Sequence, residues 1–378
     1  MPTAAAGPQI EDAARALDAG RAAEVRPYLE QSAGARPSDA HVWALLARTY
    51  WTLKDPVKAK AAADRAERGV NASPQAQHAL ALYYAQSGNR KRAAVLESMY
   101  ASSGKADALA STRAAMLHFE TRGFAEAIRY GSKTPDRPDI VVLLARSYEA
   151  LKQPDAALKQ YEALVQLRPY EEESHSQLGQ AYLRAGRFNA AVSTLEASMR
   201  TFDKSPQLEL ALGVAYYGQR RFSDAGKRFL RVIDLDASIE QPYVFLAKMI
   251  DQLEPMLAEI SGKFAAWHRA EQGNHYAPFV FSKVAPDEEV ESLLREAIRR
   301  QPAFWESHFD LAGALERKRD FAGAAQELEQ SAKLSPEEPA VQYRLSRVYA
   351  RLGQSEKAAF ARARHEKLTA GNTKAGMR

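Results

Sequence analysis

Apolar and polar residues alternate along most of the chain at the three- to four-residue spacing of amphipathic helices. Residues 141–169, VVLLARSYEALKQPDAALKQYEALVQLRP, show this pattern clearly. Leu144 and Tyr148 share one helical face, and Ala157 and Tyr161 resume the spacing after a Gln-Pro break. The segment therefore predicts two amphipathic helices that are joined by a tight turn.

The same pattern returns with a period of 34 residues. One column of positions is mainly aromatic and contains Tyr50, Tyr84, His118, Tyr148, Tyr182, Tyr216, Ile250, Leu315 and Tyr349. A second column, nine residues later, is alanine at Ala59, Ala93, Ala127, Ala157, Ala191, Ala225, Ala324 and Ala358. One helix pair cannot bury its apolar face alone, so the period predicts an all-α fold of stacked antiparallel pairs.

The period breaks in two places. Ala127 and Ala157 are 30 residues apart, so the unit containing 125–138 has lost about one helical turn. Ala225 and Ala324 are 99 residues apart, which places two irregular units in 238–302. In that region we expect an enlarged turn marked by Pro255 and Ser261-Gly262, followed by a unit that Pro278 and Pro286 distort.

These breaks divide the chain into five predicted segments: a disordered tail (1–9), a run of regular repeats (10–237), two irregular repeats (238–302), the C-terminal repeats with their cap (303–368) and a second disordered tail (369–378).

Several repeats carry one set of residues in register: Leu144-Ala145, Tyr148, Ala157, Tyr161 and Pro169; Leu178-Gly179, Tyr182, Ala191 and Leu195; Leu212-Gly213, Tyr216, Ala225 and Phe229. In these positions the chain resembles the tetratricopeptide repeat family over about residues 10–368, and more loosely its long bacterial members. The resemblance implies a right-handed superhelical solenoid of about ten or eleven repeats. It also implies a non-catalytic scaffold or adaptor that binds protein or peptide partners in a concave groove.

Ten residues in the middle repeats are expected to line that groove, because of their offsets from the aromatic column: Arg146, Glu149, Gln177, Gln180, Arg184, Leu210, Tyr217, Phe245, Lys248 and Asp251. Amides suit a peptide backbone, cations suit its carboxylates, and aromatic rings suit its apolar side chains. The alternative is that these positions are merely solvated. Family members that grip an acidic C-terminal tail use Lys and Asn clamps, but the matching positions here read Val142, Arg146, Gln177, Gln207 and Ala211.

The segment AAWHRAEQGNHYAPFVF, residues 265–281, concentrates candidate metal ligands in His268, Glu271 and His275. A zinc-protease helix needs two histidines four residues apart, whereas these are seven apart with Gly-Asn between them. We therefore expect Trp267 and Ala270 to pack in the core, His268 and Glu271 to face solvent, and His275 to begin the next helix.

Catalytic motifs are not found in the sequence. There is no cysteine, no Gly-x-Ser-x-Gly elbow and no phosphate-binding glycine loop. We expect no enzymatic activity, no cofactor, no metal and no small-molecule substrate.

Positive charge is concentrated at one end of the chain. The net charge is +5, and residues 344–378 contain nine Lys and Arg against two Glu, so the remainder is slightly negative. Arg344, Arg347 and Arg351 recur on one side of a predicted helix. This basic patch would suit an acidic partner, nucleic acid or anionic lipid, but we favour the simpler interpretation of a solubilising cap on the last repeat.

Two other interpretations of the function remain. The chain would equally suit a structural or regulatory subunit of a larger enzyme or envelope complex. An RNA-binding helical repeat is less favoured, because its basic residues would follow the whole array. No apolar run is long enough to span a membrane, and the N-terminus lacks a signal-peptide pattern. A soluble protein of the cytoplasm or periplasm is expected, with the choice undetermined.

Overall fold

A computed structural model describes residues 10–270 and 274–375 of the chain, and within these residues the regular structure is helical, with no strand. The α-helices are α1 Ile10–Asp18, α2 Ala22–Ala35, α3 Ala40–Thr52, α4 Pro56–Glu67, α5 Pro74–Gln86, α6 Arg90–Ala101, α7 Ala110–Glu120, α8 Phe124–Gly131, α9 Pro138–Ala150, α10 Pro154–Leu167, α11 Glu172–Arg184, α12 Phe188–Met199, α13 Pro206–Gly218, α14 Phe222–Leu235, α15 Gln241–Lys248, α16 Leu257–Ala270, α17 Tyr276–Phe281, α18 Asp287–Arg300, α19 Trp305–Arg317, α20 Phe321–Leu334, α21 Pro339–Arg351 and α22 Ser355–Ala375. The predicted all-α fold is confirmed.

The chain forms two compact units, Met1–Ala181 and Tyr182–Arg378, with the division inside α11. The first unit contains two apolar clusters, one between Ala13 and Leu96 and the other between Ala114 and Leu144. The second unit has one cluster that runs from Ala191 to Ala361. The segment boundaries predicted at 237/238 and 302/303 stay predictions.

The turn inside each regular pair contains one residue with left-handed backbone, four positions after the aromatic column. These residues are Lys54, Gly88, Arg122, Lys152, Gly186, Arg220, Arg319 and Gly353, with φ between 57° and 92°. The next amide then donates to the column residue's carbonyl, as from Gln153 to Tyr148 and from Arg221 to Tyr216, both at 2.9 Å. This bond satisfies a carbonyl that the end of a helix leaves unpaired. The period of 34 is therefore present in the backbone as well as in the side chains.

Helix starts follow ordinary capping chemistry. The hydroxyl of Ser205 accepts a hydrogen bond from the Leu208 amide at 3.1 Å, and Pro206 occupies the first turn. Asp55 accepts from the Lys58 amide at 3.0 Å in the same way. Because proline has no amide hydrogen to satisfy in the first turn, these sequences set where each helix begins.

The aromatic column also ties neighbouring repeats together. Three of its tyrosine hydroxyls donate to a glutamate 20 residues earlier, on the second helix of the preceding pair: Tyr50 to Glu30 at 2.9 Å, Tyr349 to Glu329 at 2.7 Å, and Tyr216 to Glu196. Burial, reinforced by the bond to Glu30, raises the pKa of Tyr50 to about 12. The hydroxyls therefore remain protonated donors at neutral pH.

The two departures from the period have structural counterparts. Helix α8 has only eight residues, in the unit predicted to be short. The enlarged turn of the first irregular unit comprises two 3₁₀ helices, Ile250–Gln252 and Glu254–Met256. The prediction that Ser261-Gly262 belongs to that turn is wrong, because both residues lie inside the continuous helix α16.

The C-terminal helix is longer than predicted. Helix α22 continues to Ala375, so residues 369–375 are helical where a disordered tail was expected. Thr369 supports this extension by donating its hydroxyl to the His365 and Glu366 carbonyls, both at 3.0 Å. The other predicted tail, residues 1–9, lies outside the described residues, as do residues 376–378.

One buried histidine is held between two acceptors. Nδ1 of His308 lies 2.7 Å from Glu327 Oε2, and Nε2 lies 3.1 Å from the Pro302 carbonyl. A neutral imidazole can donate from only one nitrogen, whereas the protonated ring donates from both. The bond to Glu327 accordingly raises the pKa of His308 above its ordinary value.

Replacing Arg220 by glycine is expected to stabilise the protein by roughly 0.5–1 kcal/mol, because glycine adopts left-handed backbone without the penalty of a Cβ. The reciprocal change, Gly186→Arg, should destabilise it by a similar amount, since nothing lies within 4 Å of a Cβ at that position. Urea denaturation followed by circular dichroism measures both. If Arg220→Gly instead lowered the free energy of unfolding, left-handed backbone would not be the constraint at this turn position.

The His308 contact should make stability depend on pH. Because the folded pKa is raised, the stabilisation is fully present below the unfolded pKa of about 6.5 and is lost as the pH rises through the folded value. His308→Asn should therefore cost roughly 1 kcal/mol more at acidic than at alkaline pH. Denaturation of the wild type and variant across this range measures the difference. In a Glu327→Gln background the pH-dependent part should disappear, and its persistence would rule out this pair as the source.

Candidate partner-binding surface

The ten predicted groove residues lie on the surface of their units. Arg146, Gln180, Arg184, Lys248 and Asp251 are exposed, and the other five are half-buried. Four belong to the first unit, on α9 and α11, and six belong to the second. Their accessibility is compatible with partner contact and equally with simple solvation, so the groove assignment stays a prediction.

In the first unit the amides are engaged within their own helix. Gln177 donates to the Glu173 carboxylate at 2.7 Å, and Gln180 donates to the Ser176 hydroxyl at 3.2 Å. Each bond spans one helical turn and fixes the direction of the amide. The amide oxygen of Gln177 is buried, whereas the exposed Gln180 keeps further hydrogen-bonding capacity for a peptide backbone.

In the second unit the predicted aromatic residues contact one another. The Tyr217 ring meets Phe245 edge-on at a centroid distance of 5.2 Å, and it meets Phe222 at 5.7 Å. Phe245 in turn stacks on the fully buried Phe229 at 4.8 Å. The two half-buried rings are therefore anchored to the core and hold a fixed apolar surface.

The last two groove residues lie where the regular helix ends. Lys248 is the final residue of α15, and Asp251 lies in the following 3₁₀ helix rather than on the same α-helical face. The prediction placed both residues on one full-length first helix, but the enlarged turn begins directly after Lys248. Burial raises the pKa of Glu306, and the nearby Lys248 ammonium partly offsets that rise.

A cleft opens beside this aromatic surface. It has a volume of about 470 Å³ and is lined by Ser238, Ile239, Glu240, Gln241, Val244, Phe245 and Tyr276. The segment before α15 forms one side, and the first residue of α17 reaches it from the other. The enlarged turn follows α15 directly, and α17 is only six residues long.

Aromatic rings support the far wall of the cleft. Tyr276 packs edge-on against Phe304 at 5.1 Å, and His275 lies 4.2 Å from Tyr276 and 5.0 Å from Phe304. Burial lowers the pKa of His275 and raises that of Tyr276; the Glu240 carboxylate partly opposes the first shift and adds to the second. Both rings are accordingly uncharged at neutral pH, which keeps this wall suited to apolar side chains.

Two sequence models, each described as tetratricopeptide repeat, match the chain. One matches residues 150–212, and the other matches residues 112–172, 291–339 and 317–372. The chain is a tetratricopeptide repeat protein. This repeat family is generally non-catalytic and supports a role in protein–protein interaction.

A solved structure agrees with the fold of this tetratricopeptide repeat protein. A chain in the structure of Naa15/Naa10 bound to HypK-THB aligns with a TM-score of 0.53 and 12% identity, over 93% of this chain and 67% of that one. At this identity the likeness concerns the fold alone. A chain of MamA AMB-1 aligns over 44% of this chain and 93% of its own length, with 16% identity and a TM-score of 0.37. No curated protein matches the sequence.

The histidine-rich segment is built around a salt bridge rather than around solvent-facing side chains. His275 directly precedes α17, as predicted, and Trp267 packs edge-on against Phe264 at 5.2 Å. His268 is half-buried, with Nε2 2.8 Å from Glu296, so its predicted solvent-facing position is wrong. Glu271 and the side chain of Ala270 lie outside the described residues.

The residues that the structure describes contain no group of three or more His, Asp or Glu side chains placed to hold a metal ion. Nor do they include a helix whose length and apolar character suit a membrane crossing.

Glu296 organises this region. It pairs with both His268 and Arg300, and Arg300 donates to the Asn274 carbonyl at 2.7 Å. Burial alone would raise the pKa of Glu296, but its contacts with His268 and Arg300 hold that pKa below the ordinary value. The network is thereby linked to the backbone at Asn274, two residues before Tyr276, which lines the cleft.

The predicted basic patch does not act as one surface. Arg344 donates to Glu316 at 2.6 Å and to the Phe309 carbonyl at 3.0 Å, so it is a structural contact between α21 and α19. A Cβ on Gly313 would collide with its guanidinium, so the glycine leaves room for Arg344 to reach these acceptors. Arg347 and Arg351 remain exposed, near two arginines that sequence reasoning missed, Arg317 and Arg319.

Glu296→Gln is expected to loosen the wall of the cleft. Losing the charge weakens two partly exposed pairs and costs roughly 1 kcal/mol locally. Hydrogen exchange of the amides in 274–281 should become roughly fivefold faster. The control is Glu259→Gln, because Glu259 is exposed on α16 and has no ion pair among the described residues. If these amides exchange at the same rate in both variants, Glu296 does not hold this wall of the cleft in place.

Proposed function

We propose that this tetratricopeptide repeat protein is a scaffold or adaptor that holds a segment of a partner protein on its second unit. The bound segment places one large apolar side chain in the cleft between Ile239, Val244, Phe245 and Tyr276. Its neighbouring residues lie along the predicted groove residues that precede the cleft. The same contacts would serve a structural or regulatory subunit of a larger enzyme or envelope complex.

The observation that carries this proposal is the cleft beside the anchored rings of Tyr217 and Phe245. Binding energy at protein interfaces is concentrated where aromatic or aliphatic anchors fill pockets that are already formed. Phe245 is held by Phe229 before any partner arrives, so little side-chain entropy is lost on binding. The rim offers a hydroxyl, a carboxylate and an amide from Ser238, Glu240 and Gln241.

The composition of the surface favours a peptide over RNA. Polyanion binding requires several phosphate contacts from Lys and Arg, whereas the cleft is lined by a glutamate and by no cation. The aromatic rings contact the core on one face, and Glu240 would repel a phosphate backbone beside them. A protein segment with apolar and neutral polar side chains meets neither obstacle.

A random peptide library displayed against the intact protein tests the proposal. Enriched peptides should share an aromatic or large aliphatic residue at one position. Val244→Lys should raise the Kd of these peptides at least about tenfold. Val244 is half-buried at the cleft, so the added ammonium occupies the site without removing a core side chain.

The matched control is Val95→Lys, which adds the same charge at an exposed valine of the first unit. It should leave the affinity unchanged. Thermal melts of both variants establish that they are folded. Peptides without a shared apolar residue, or equal affinity in the wild type and Val244→Lys, would overturn the proposal.

A further inference from the structure

A second cleft, lined by different residues, lies near the C-terminal end of the same unit. It has a volume of about 410 Å³ and is lined by Glu316, Arg317, Arg319, Phe321, Arg347 and Arg351. The arginines come from three places: the end of α19, the turn before α20, and the exposed side of α21. Folding therefore brings four guanidinium groups to one concave site.

The single carboxylate in this cleft is already engaged. Glu316 accepts a hydrogen bond from Arg344 at 2.6 Å, and both side chains are about three-quarters buried. Arg317 lies 3.7 Å from Asp287, but both of these side chains are largely exposed, so water screens the pair. In the described part of the chain, Arg319, Arg347 and Arg351 have no ion pair. The cleft thus has an excess of positive charge that the protein itself does not neutralise.

The arginines are also positioned rather than free in solvent. The Arg351 guanidinium lies over the Phe321 ring, 5.6 Å from its centroid, and Arg347 lies 5.8 Å from the centroid of Tyr343. Arg319 has a left-handed backbone, with φ of 63°, because it closes the turn of its repeat. Stacking leaves the N–H edges of a guanidinium free to donate to an oxyanion.

We propose that this arginine cleft binds a protein segment carrying clustered oxyanions, with an apolar side chain of the segment against Phe321. Guanidinium groups pair with carboxylates and phosphates through two parallel hydrogen bonds, so Asp and Glu side chains and a phosphorylated Ser or Thr share the required chemistry. A long nucleic acid fits the site less well, because these four cations are confined to one cleft, whereas phosphate-backbone binding uses cations along an extended track.

Fluorescence anisotropy with the full-length protein tests this inference. The probes are a labelled peptide of Asp and Glu around one Phe, its Asn and Gln analogue, a phosphoserine peptide, and single-stranded RNA of equal charge. We expect the acidic peptide, the phosphopeptide or both to bind, the amide analogue to fail, and affinity to fall with added salt. The ratio of the two anionic peptides identifies the source of the oxyanion.

The double variant Arg347→Gln/Arg351→Gln should weaken binding roughly five- to thirtyfold. Its matched control, Arg362→Gln/Lys367→Gln, removes the same charge from exposed positions of α22 and should retain binding. Arg319→Gly removes a third cation while relieving its left-handed backbone, so weaker binding there cannot be ascribed to unfolding.

Three results would overturn the inference: neither anionic peptide binds, binding survives in the double variant, or RNA binds more tightly than both peptides. None of these results depends on the cleft at Val244 and Tyr276, since the peptides and variants used there are different.

Discussion

The fold depends on one constraint: a helix pair of this composition cannot bury its apolar face except against the next pair. The aromatic column meets this constraint in two ways. Its rings fill the space between repeats, and Tyr50, Tyr216 and Tyr349 also donate to a glutamate of the preceding pair. These bonds are directional, whereas apolar contact is not, so they fix how each pair sits on its neighbour within a unit. Small residues set the separation, as at Gly213, where a Cβ would lie 2.6 Å from the Phe229 ring.

Where the period breaks, the packing between repeats changes. In the first irregular unit the column position is Ile250, which has no hydroxyl and lies in a 3₁₀ helix instead of an α-helix. The left-handed turn residue has no equivalent there either, since that position is Glu254 at the start of another 3₁₀ helix. Without both devices, packing is achieved by aromatic residues of the neighbouring segments, among them Phe264, Phe279 and Phe304. The cleft beside Phe245 adjoins these irregular elements.

Sequence periodicity predicted the helices well because the signal repeats many times. The turn at Arg220 could be located from Tyr216 alone, and the short α8 from the spacing of two alanines. Single contacts without a repeat were not predictable. His268 was assigned to solvent since nothing in its own segment identifies Glu296, which comes 28 residues later. Likewise, helical spacing grouped Arg344 with Arg347 and Arg351, although the guanidinium of Arg344 reaches across to Glu316 and Phe309.

The last repeats carry two kinds of surface charge: charges that keep the surface soluble, and charges that are available for binding. A terminal repeat needs a polar outer face, and that need is met by mixed and mutually paired charges. The charges between α18 and the end of α19 follow this pattern, since Glu291 accepts from both Arg295 and Lys318. Arg347 and Arg351 depart from it, because they share a concave site with other arginines, whose like charges raise the free energy of the folded state. Solubility alone would be served as well by glutamates or by dispersed cations. Four arginines in one cleft, two of them stacked on aromatic rings, are more economically explained by an anionic ligand whose binding relieves that repulsion.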